Sequence, residues 1–214
     1  MIRKKSIENG QSSNNLERIK KALRKLSNTF FSTNIDLLLD DDFCSRNIFY
    51  EEKQLNRILI NSNVRQLWHI HGSLEWVRDV IFTAKDYLER YTNKNFREGL
   101  QRTLGNPLYT ILFIGYGCSE LQLLDFLVNS EKSDCERMYL LQPYFNSDNC
   151  IYDAEEPYYK DYGIQIIQYP IDTGYNFLIN VLEEFGSKVE SISILLTQNY
   201  TQAQMILEKN MLRS

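Results

Sequence analysis

Both histidines of this 214-residue chain lie in one short stretch, His69-Ile70-His71-Gly72-Ser73. Alternation along an extended strand places His69 and His71 on the same face. Imidazole accepts a proton near neutral pH, so a histidine next to a glycine at a strand end can act as a general base on a ligand that approaches closely. The alternatives are a structural histidine whose hydrogen bonds are satisfied, or a two-histidine metal site that has no evident third ligand.

A second polar group, Thr33-Asn34-Ile35-Asp36, follows the apolar run Phe30-Phe31. Short amide and carboxyl side chains at this point either cap a following helix or bind a polar ligand. The residues alone leave both uses open.

A third group, Gly115-Tyr116-Gly117-Cys118-Ser119-Glu120, follows the apolar run Ile111 to Ile114. Two glycines where a strand opens into a helix let a ligand approach the backbone, although this spacing by itself is a weak motif. Gly115, Gly117 and Ser119 are therefore candidate ligand contacts.

The elements that position these groups follow from alternating apolar runs and helical patterns, which predict a parallel sheet flanked by helices. Loops leaving the carboxyl ends of parallel strands converge, so the three groups are expected at one crevice. Residues 143–162 are predicted to form a polar loop. The predicted strands are 29–33, 65–71, 109–116, 138–142 and 164–169, and the predicted helices are 16–26, 36–42, 84–92, 95–104, 121–130 and 174–185.

In order and character the three groups resemble the strand ends of a sirtuin-like NAD-binding domain of the zinc-less bacterial branch, over roughly residues 24 to 185. The resemblance implies that His71 is the general base acting on the ribose hydroxyls. It implies that Asn34 lies by the nicotinamide ribose and places a water, and that Ile35 and Asp36 bind the carboxamide. Thr33 stands where many relatives have glutamine. Gly115, Gly117 and Ser119 would contact the adenosine ribose and phosphates.

One expected feature of such a domain is missing. Relatives begin with a strand that runs into a glycine-rich phosphate loop, yet the only glycine before Asn34 is Gly10, and no apolar strand precedes it. By family topology the absent strand lies between those that end in the second and third groups described above, so the sheet is expected to be incomplete at its first strand. A truncated or split chain, a strand borrowed from a partner and a rearranged non-catalytic relic all remain open.

The four cysteines, Cys44, Cys118, Cys135 and Cys150, contain no C-x-x-C pair. A structural zinc site needs ligands paired at short spacing, so no metal is expected. The resemblance agrees, because the segment around residues 80 to 91 is similar to the small helical insertion found where a deacylase carries its zinc module.

The charge of the chain is unevenly distributed. Residues 1 to 25 carry eight Lys or Arg against two acids, whereas the whole chain has a formal charge of -4. The remainder is therefore acidic, which argues against nucleic-acid binding. No apolar run approaches the roughly 18 residues needed to span a bilayer, so a cytoplasmic protein is expected.

The predicted organisation is a basic N-terminal helical segment (1–27), a sirtuin-like NAD-binding domain (28–185) and a C-terminal helical extension (186–214). The first functional hypothesis is an NAD+ glycohydrolase of the type used in bacterial antiphage defence, with NAD+ as substrate and water as nucleophile. The rival is a catalytically inactive remnant or interaction subunit that at most binds adenosine. Expected partners are NAD+ and either further copies of the chain or a separately encoded N-terminal fragment.

Overall fold

The computed structural model describes residues 10–50, 64–106, 109–115, 137–145, 149–172 and 174–211. The helices are α1 Gly10–Leu26, α2 Ala84–Thr92, α3 Lys94–Leu104, α4 Asn149–Asp161 and α5 Asn176–Met211. The strands are β1 Thr29–Ser32, β2 Ile48–Phe49, β3 Gln66–His69, β4 Ile111–Ile114, β5 Met138–Tyr144 and β6 Ile164–Pro170. Short 3-10 turns occupy Asp40–Asp42, Ser45–Asn47 and Val77–Asp79. Within these ranges, no helix combines the length and apolar character needed to cross a membrane.

The described chain forms two compact units. One contains α1 and α5, from the segments Met1–Ser27 and Asn176–Ser214, and the other is Asn28–Tyr175, which holds both sheets.

Strand β3 is the centre of a three-stranded parallel sheet with the order β1-β3-β2. In its pair with β1, Ser32 lies opposite His69, and in its pair with β2, Ile48 lies opposite Leu67. All four residues of β3 are buried, as expected for a parallel strand that is covered on both faces. Strands β1 and β3 therefore end side by side, and the two polar groups that follow them leave from the same edge.

Strand β5 is the centre of a second parallel sheet with the order β4-β5-β6. Ile111 lies opposite Met138, which in turn lies opposite Ile164. Arg137, directly before β5, is buried and donates to the carbonyls of Leu104 and Asn106 at 2.9 and 3.1 Å. These bonds tie the connection between α3 and β4 to the start of β5.

The described strands form two separate sheets, and none of them joins β1 to β4. Among the described strands, β1 pairs only with β3, and β4 pairs only with β5. A doubly wound order would have one more strand between them. The predicted fold class is confirmed: the chain is α/β, with Rossmann-like parallel strands flanked by helices, and within the described residues no strand pairs with both β1 and β4.

One hydrophobic core joins the two sheets with α2 and α3. Trp68 of β3 is 1% exposed and contacts Phe31 edge-on at 5.5 Å and Phe96 at 6.0 Å between ring centroids. Phe113 of β4 and Leu140 of β5 belong to the same buried cluster. Burial of large aromatic rings is the main stabilising contribution here, since each removes about 150–250 Å² from water.

Helices α2 and α3 begin at polar caps. The Thr83 hydroxyl accepts from the Asp86 backbone N–H at 3.2 Å, and the Asp86 carboxylate accepts from the Thr83 N–H at 2.8 Å. Asn93 lies at the C-terminal end of α2, and its side chain accepts hydrogen bonds from the first backbone N–H groups of α3. Such caps define where each helix starts and are worth about 1 kcal/mol each.

The unit formed by α1 and α5 is a pair of parallel helices. Gly186 of α5 lies so close to Ala22 of α1 that an added Cβ would be 3.0 Å from the Ala22 carbonyl oxygen. On the outside, Arg18 pairs with Glu183 at 2.7 Å and Lys25 with Glu190 at 2.6 Å. These pairs are partly exposed, so buried Ala22 and Leu182 contribute more to the pairing than the ions do.

Three sequence predictions of local structure were wrong. Residues 36–42 form a turn and a 3-10 turn rather than a helix, because Asp36 bonds to the backbone N–H of Leu38 and closes an Asx turn instead. The segment 143–162 is not a loop, since it contains the end of β5 and helix α4. Strand β2 was missed because it has only two residues. The predicted helix 121–130 lies outside the described residues.

Helix α5 is continuous across residue 186, where the predicted C-terminal extension begins. It packs with α1 in one unit, so residues 176–185 lie in a different unit from the sheets. The three-segment organisation, 1–27, 28–185 and 186–214, stays a prediction.

Candidate active site

His71 is held in place by three elements. It follows β3, is 3% exposed, and its Nδ1 lies 3.1 Å from the carbonyl oxygen of Thr33, which follows β1. Its Nε2 lies 2.9 Å from the hydroxyl of Tyr91 in α2. The ring also contacts Tyr87 of α2 edge-on at 5.0 Å. The sequence predicted His71 as a site residue but gave no sign of these two tyrosines.

The environment of His71 favours its neutral form. The pKa of His71 is lowered from its ordinary 6.5 to about 4, chiefly by burial; the hydrogen bond to the Thr33 carbonyl opposes this lowering, and the nearby positive charge of Arg90 adds to it. A histidine that stays unprotonated at neutral pH has the protonation state that a general base requires.

The Thr33–Asp36 segment lies directly against both histidines. The carbonyl oxygen of Asn34 lies 3.1 Å from Nδ1 of His69, and that of Thr33 lies 3.1 Å from Nδ1 of His71. Each histidine therefore contacts one backbone carbonyl of the segment. The Asn34 side chain is exposed, and its carboxamide makes no hydrogen bond to any other residue of the described ranges. The helix-cap interpretation therefore does not apply to Asn34, which has a side chain available to a ligand.

Ile35 and Asp36 have local structural roles. The Ile35 carbonyl accepts from the Leu74 N–H at 2.9 Å, which joins the segment to the loop after β3. The Asp36 carboxylate accepts from the Leu38 N–H at 3.0 Å. For Asp36 the structure thus shows an Asx turn rather than a helix cap, and the proposed contact of both residues with a carboxamide stays a prediction.

His69 belongs to a second polar cluster that the sequence analysis missed. Its Nε2 lies 3.1 Å from Oδ1 of Asp40, and its ring stacks on Tyr50 with centroids 5.5 Å apart. The Tyr50 hydroxyl is 3.2 Å from Glu75. Burial raises the pKa of Tyr50 well above its usual range, and the charges of Asp40 and Glu75 raise it further. Both ring nitrogens of His69 thus face acceptors, which is a structural role.

Gly72 permits a close approach, but the neighbour is the chain itself. Gly72 has φ +76°, and a Cβ there would lie 2.5 Å from the Asp79 carbonyl oxygen and 2.7 Å from the Val80 nitrogen. The His71 carbonyl accepts from the Ile81 N–H at 3.0 Å. The segment that precedes α2 therefore packs directly against the histidine motif.

Gly115 follows β4 in a left-handed conformation with φ +63°, and no atom of the described residues lies within 4 Å of the position that a Cβ would take. This open backbone suits a ligand contact, but the structure does not bring it to His71 by any described interaction. Gly117 and Ser119 lie outside the described residues, so their roles stay predictions.

The described ranges contain no group of three His, Cys, Asp or Glu side chains that could hold a metal ion. Cys44 is an exposed free thiol. The prediction that the protein carries no metal is tested below by an experiment.

Two groups of this arrangement suit a nucleotide ligand, whereas His71 is not open to one. An exposed carboxamide at Asn34 and an open glycine at Gly115 are groups that can contact polar atoms of a nucleotide. His71 lies next to the Asn34 segment and is neutral, although both of its ring nitrogens are already hydrogen bonded.

A family model for the SIR2-like domain matches residues 28–167. The match begins just before β1 and ends within β6, and it contains every candidate residue named above. A search of curated proteins finds no match to this sequence.

Proposed function

The chain belongs to the SIR2-like domain family, and from that premise we propose that it is an NAD+ glycohydrolase module that releases nicotinamide from NAD+. SIR2-like domains bind NAD, so the chain is an NAD-related module. The observation that carries the proposal is the direct bond between His71 and the segment that bears Asn34, at the ends of adjacent parallel strands.

The proposed reaction breaks the bond between nicotinamide and its ribose. The bonding electrons leave with nicotinamide, and a water adds to the ribose carbon. The transition state resembles an oxocarbenium ion, so the site must orient the ring and place the water. In this proposal Asn34 positions the water through its exposed carboxamide, and His71 accepts a proton from a ribose hydroxyl. The proton that the water loses restores this hydroxyl, and His71 then releases its own proton to solvent. Ile35 and Asp36 would orient the nicotinamide carboxamide.

Gly115, Gly117 and Ser119 are proposed to contact the adenosine side of NAD+. Gly115 supports this assignment because its backbone is open where a side chain would otherwise stand. We further propose that the module works in the cytoplasm, in bacterial antiphage defence through loss of NAD+.

Nicotinamide release by the purified chain, or by the chain reconstituted with a fragment that carries a strand and a glycine-rich loop, tests the proposal when it is followed by liquid chromatography. His71→Ala and Asn34→Ala should each reduce the rate about 10²- to 10⁴-fold, the usual effect of losing a general base or a positioned water. Asn176→Ala is a matched control, because Asn176 is an exposed asparagine in the other unit. A folded His71→Ala protein with the wild-type rate would remove His71 from the mechanism.

A second candidate, a catalytically inactive binding subunit, is favoured by two observations. No strand of the described ranges joins β1 to β4, and the basic nitrogen of His71 is occupied by Tyr91. Absence of NAD+ turnover under all conditions, combined with measurable adenosine binding, would favour this candidate over the enzyme.

A further inference from the structure

The hydrogen bonds of His71 specify which nitrogen could accept a proton. A carbonyl oxygen can only accept, so the contact between Nδ1 and the Thr33 carbonyl at 3.1 Å places the proton of the neutral ring on Nδ1. The lone pair is then on Nε2. That nitrogen lies 2.9 Å from the Tyr91 hydroxyl, which must donate to it.

Neither member of this pair is available to a substrate in the conformation described. His71 is 3% and Tyr91 4% exposed. The Tyr91 ring is fixed edge-on against buried Phe96 at 5.3 Å and stacked on Tyr87 at 6.0 Å. A rotation of the Tyr91 side chain alone would disrupt both contacts, whereas a displacement of α2 would carry Tyr87 along and give up only the contact with Phe96.

We propose that Tyr91 is a gating residue, which holds the basic nitrogen of His71 closed until α2 moves away. This inference rests on the proposed function, because it concerns the access of NAD+ to the same base. In this proposal α2 covers His71, and the Tyr91 hydroxyl on the inner face of the helix blocks Nε2.

The construction of α2 suits a movable cover. A helix of nine residues has little stability of its own, so its position depends on its contacts. On the inner side, Arg90 donates to the carbonyl of Asp79 at 3.2 Å and lies 3.5 Å from that of Ile70. Leu88 of α2 is exposed to solvent, as is Phe82, which lies two residues before the helix.

Acylation of histidine by diethyl pyrocarbonate measures the availability of the lone pair directly, because the reagent reacts with the unprotonated ring nitrogen. The chain has only two histidines, and mass spectrometry of the peptides separates His69 from His71. Tyr91→Phe keeps the ring and removes the hydroxyl. Loss of one hydrogen bond should make acylation of His71 about two- to tenfold faster at pH 7, with His69 unchanged.

Tyr87→Phe is the matched control. It removes a hydroxyl from the same helix four residues earlier, but that hydroxyl is 3.4 Å from Nδ1 rather than bonded to Nε2. We expect its His71 to react at the wild-type rate. An unchanged acylation rate of His71 in Tyr91→Phe would overturn the gate. Equal acceleration of both histidines would also overturn it, because that result indicates that the substitution loosens the whole structure.

A second variant covers the case in which Tyr91→Phe does not fold. Arg90→Met keeps an unbranched side chain at this position but removes the guanidinium that lies over Phe96 and its bonds to the Ile70 and Asp79 carbonyls. It should also accelerate His71 acylation, and an unchanged rate in the folded variant would contradict the proposal. Acylation needs no NAD+, so a failed gate and a failed glycohydrolase assignment remain distinguishable.

Discussion

At the scale of single residues, the two histidines differ although they are two positions apart. His71 faces a carbonyl on one side and a hydroxyl on the other, so the neutral ring satisfies both. His69 faces a carbonyl and a carboxylate, which both accept. The alternation of the strand put them on one face, but their partners come from segments 16 to 38 residues away in the sequence, which no local pattern reveals.

The buried neutral state of His71 predicts a dependence of stability on pH. Its pKa of about 4 in the folded chain lies below the ordinary 6.5, so the unfolded state binds more protons between these values. Stability should therefore fall as the pH drops from about 6.5 to about 4, by up to about 3 kcal/mol, and this contribution should not vary above pH 7.

Urea unfolding of wild type and His71→Gln at pH 7.5, 6, 5 and 4.5 measures this effect. The difference between the two proteins isolates His71 from the other titrating groups. The wild type should lose more stability than His71→Gln across this range. Parallel curves for the two proteins would show that His71 is not buried in its neutral form.

At the scale of elements, Gly72 is the point where the loop before α2 meets the end of β3. Gly72→Ala combines a positive φ with an overlap of a Cβ and the Asp79–Val80 backbone at 2.5 to 2.7 Å. We expect a loss of about 3 kcal/mol or more in the free energy of unfolding, because backbone atoms cannot rotate away as a side chain can.

Gly174→Ala is the control for that substitution. Gly174 also has a positive φ, +88°, but nothing lies within 4 Å of its Cβ position. It should cost only about 1–2 kcal/mol, the strain of the left-handed conformation. Equal losses for the two variants in urea unfolding would show that the loop does not press on Gly72.

The strands were predictable from sequence to a greater extent than the connections. Strands β1, β3, β4, β5 and β6 and helices α2 and α3 follow from apolar runs and caps, because their periodicity is a local property. The turn at residues 36–42 was misjudged because Asp36 competes for a backbone N–H that a helix would use. Helix α4 was missed because residues 143–162 are polar and contain Pro157, features that also describe a loop.

The sequence before β1 predicts weak NAD+ binding by this chain. The sequence contains no glycine-rich loop before Asn34, so the helix-terminus donors that usually hold a pyrophosphate are missing from this part of the site. Two or three charge-assisted hydrogen bonds, each worth about 1.5–3 kcal/mol, correspond to several orders of magnitude in the dissociation constant.

Isothermal titration calorimetry of the chain with NAD+ tests this expectation, first alone and then with a fragment that carries a strand and a glycine-rich loop. We expect little heat from the chain alone and restored binding with the fragment. Tight binding without the fragment would show that another segment supplies the phosphate contacts.

At the scale of the whole molecule, the predicted lack of metal is testable. Elemental analysis of the folded protein should give no stoichiometric zinc, and a chelator should leave its melting temperature unchanged, since a structural zinc contributes directly to folding. One zinc per chain would contradict the zinc-less assignment. The expectation rests on cysteine spacing and on the resemblance to zinc-less relatives.

The fold class and the position of His71 at a strand end could be anticipated from sequence. The contacts that cover His71 could not. Composition and motif order predicted parallel strands and the residues at their ends. The cover formed by α2 depends on Tyr91 reaching Nε2 of His71, a contact between two segments that requires the packed structure. The two-unit organisation likewise depends on how α1 packs with α5, and amphipathic patterning does not specify the partner helix.

The two tryptophans differ sharply in exposure, and this difference provides an optical signal in the unlabelled protein. Trp68 is enclosed among aromatic rings at 1% exposure, while Trp76, in the stretch that leads to α2, is 42% exposed. Emission from Trp68 should be blue-shifted and protected from iodide, and emission from Trp76 should be red-shifted and quenched. Substituting Trp68 by phenylalanine would leave Trp76 as the sole emitter, so rearrangement of this stretch could be timed by stopped-flow fluorescence without attaching a dye.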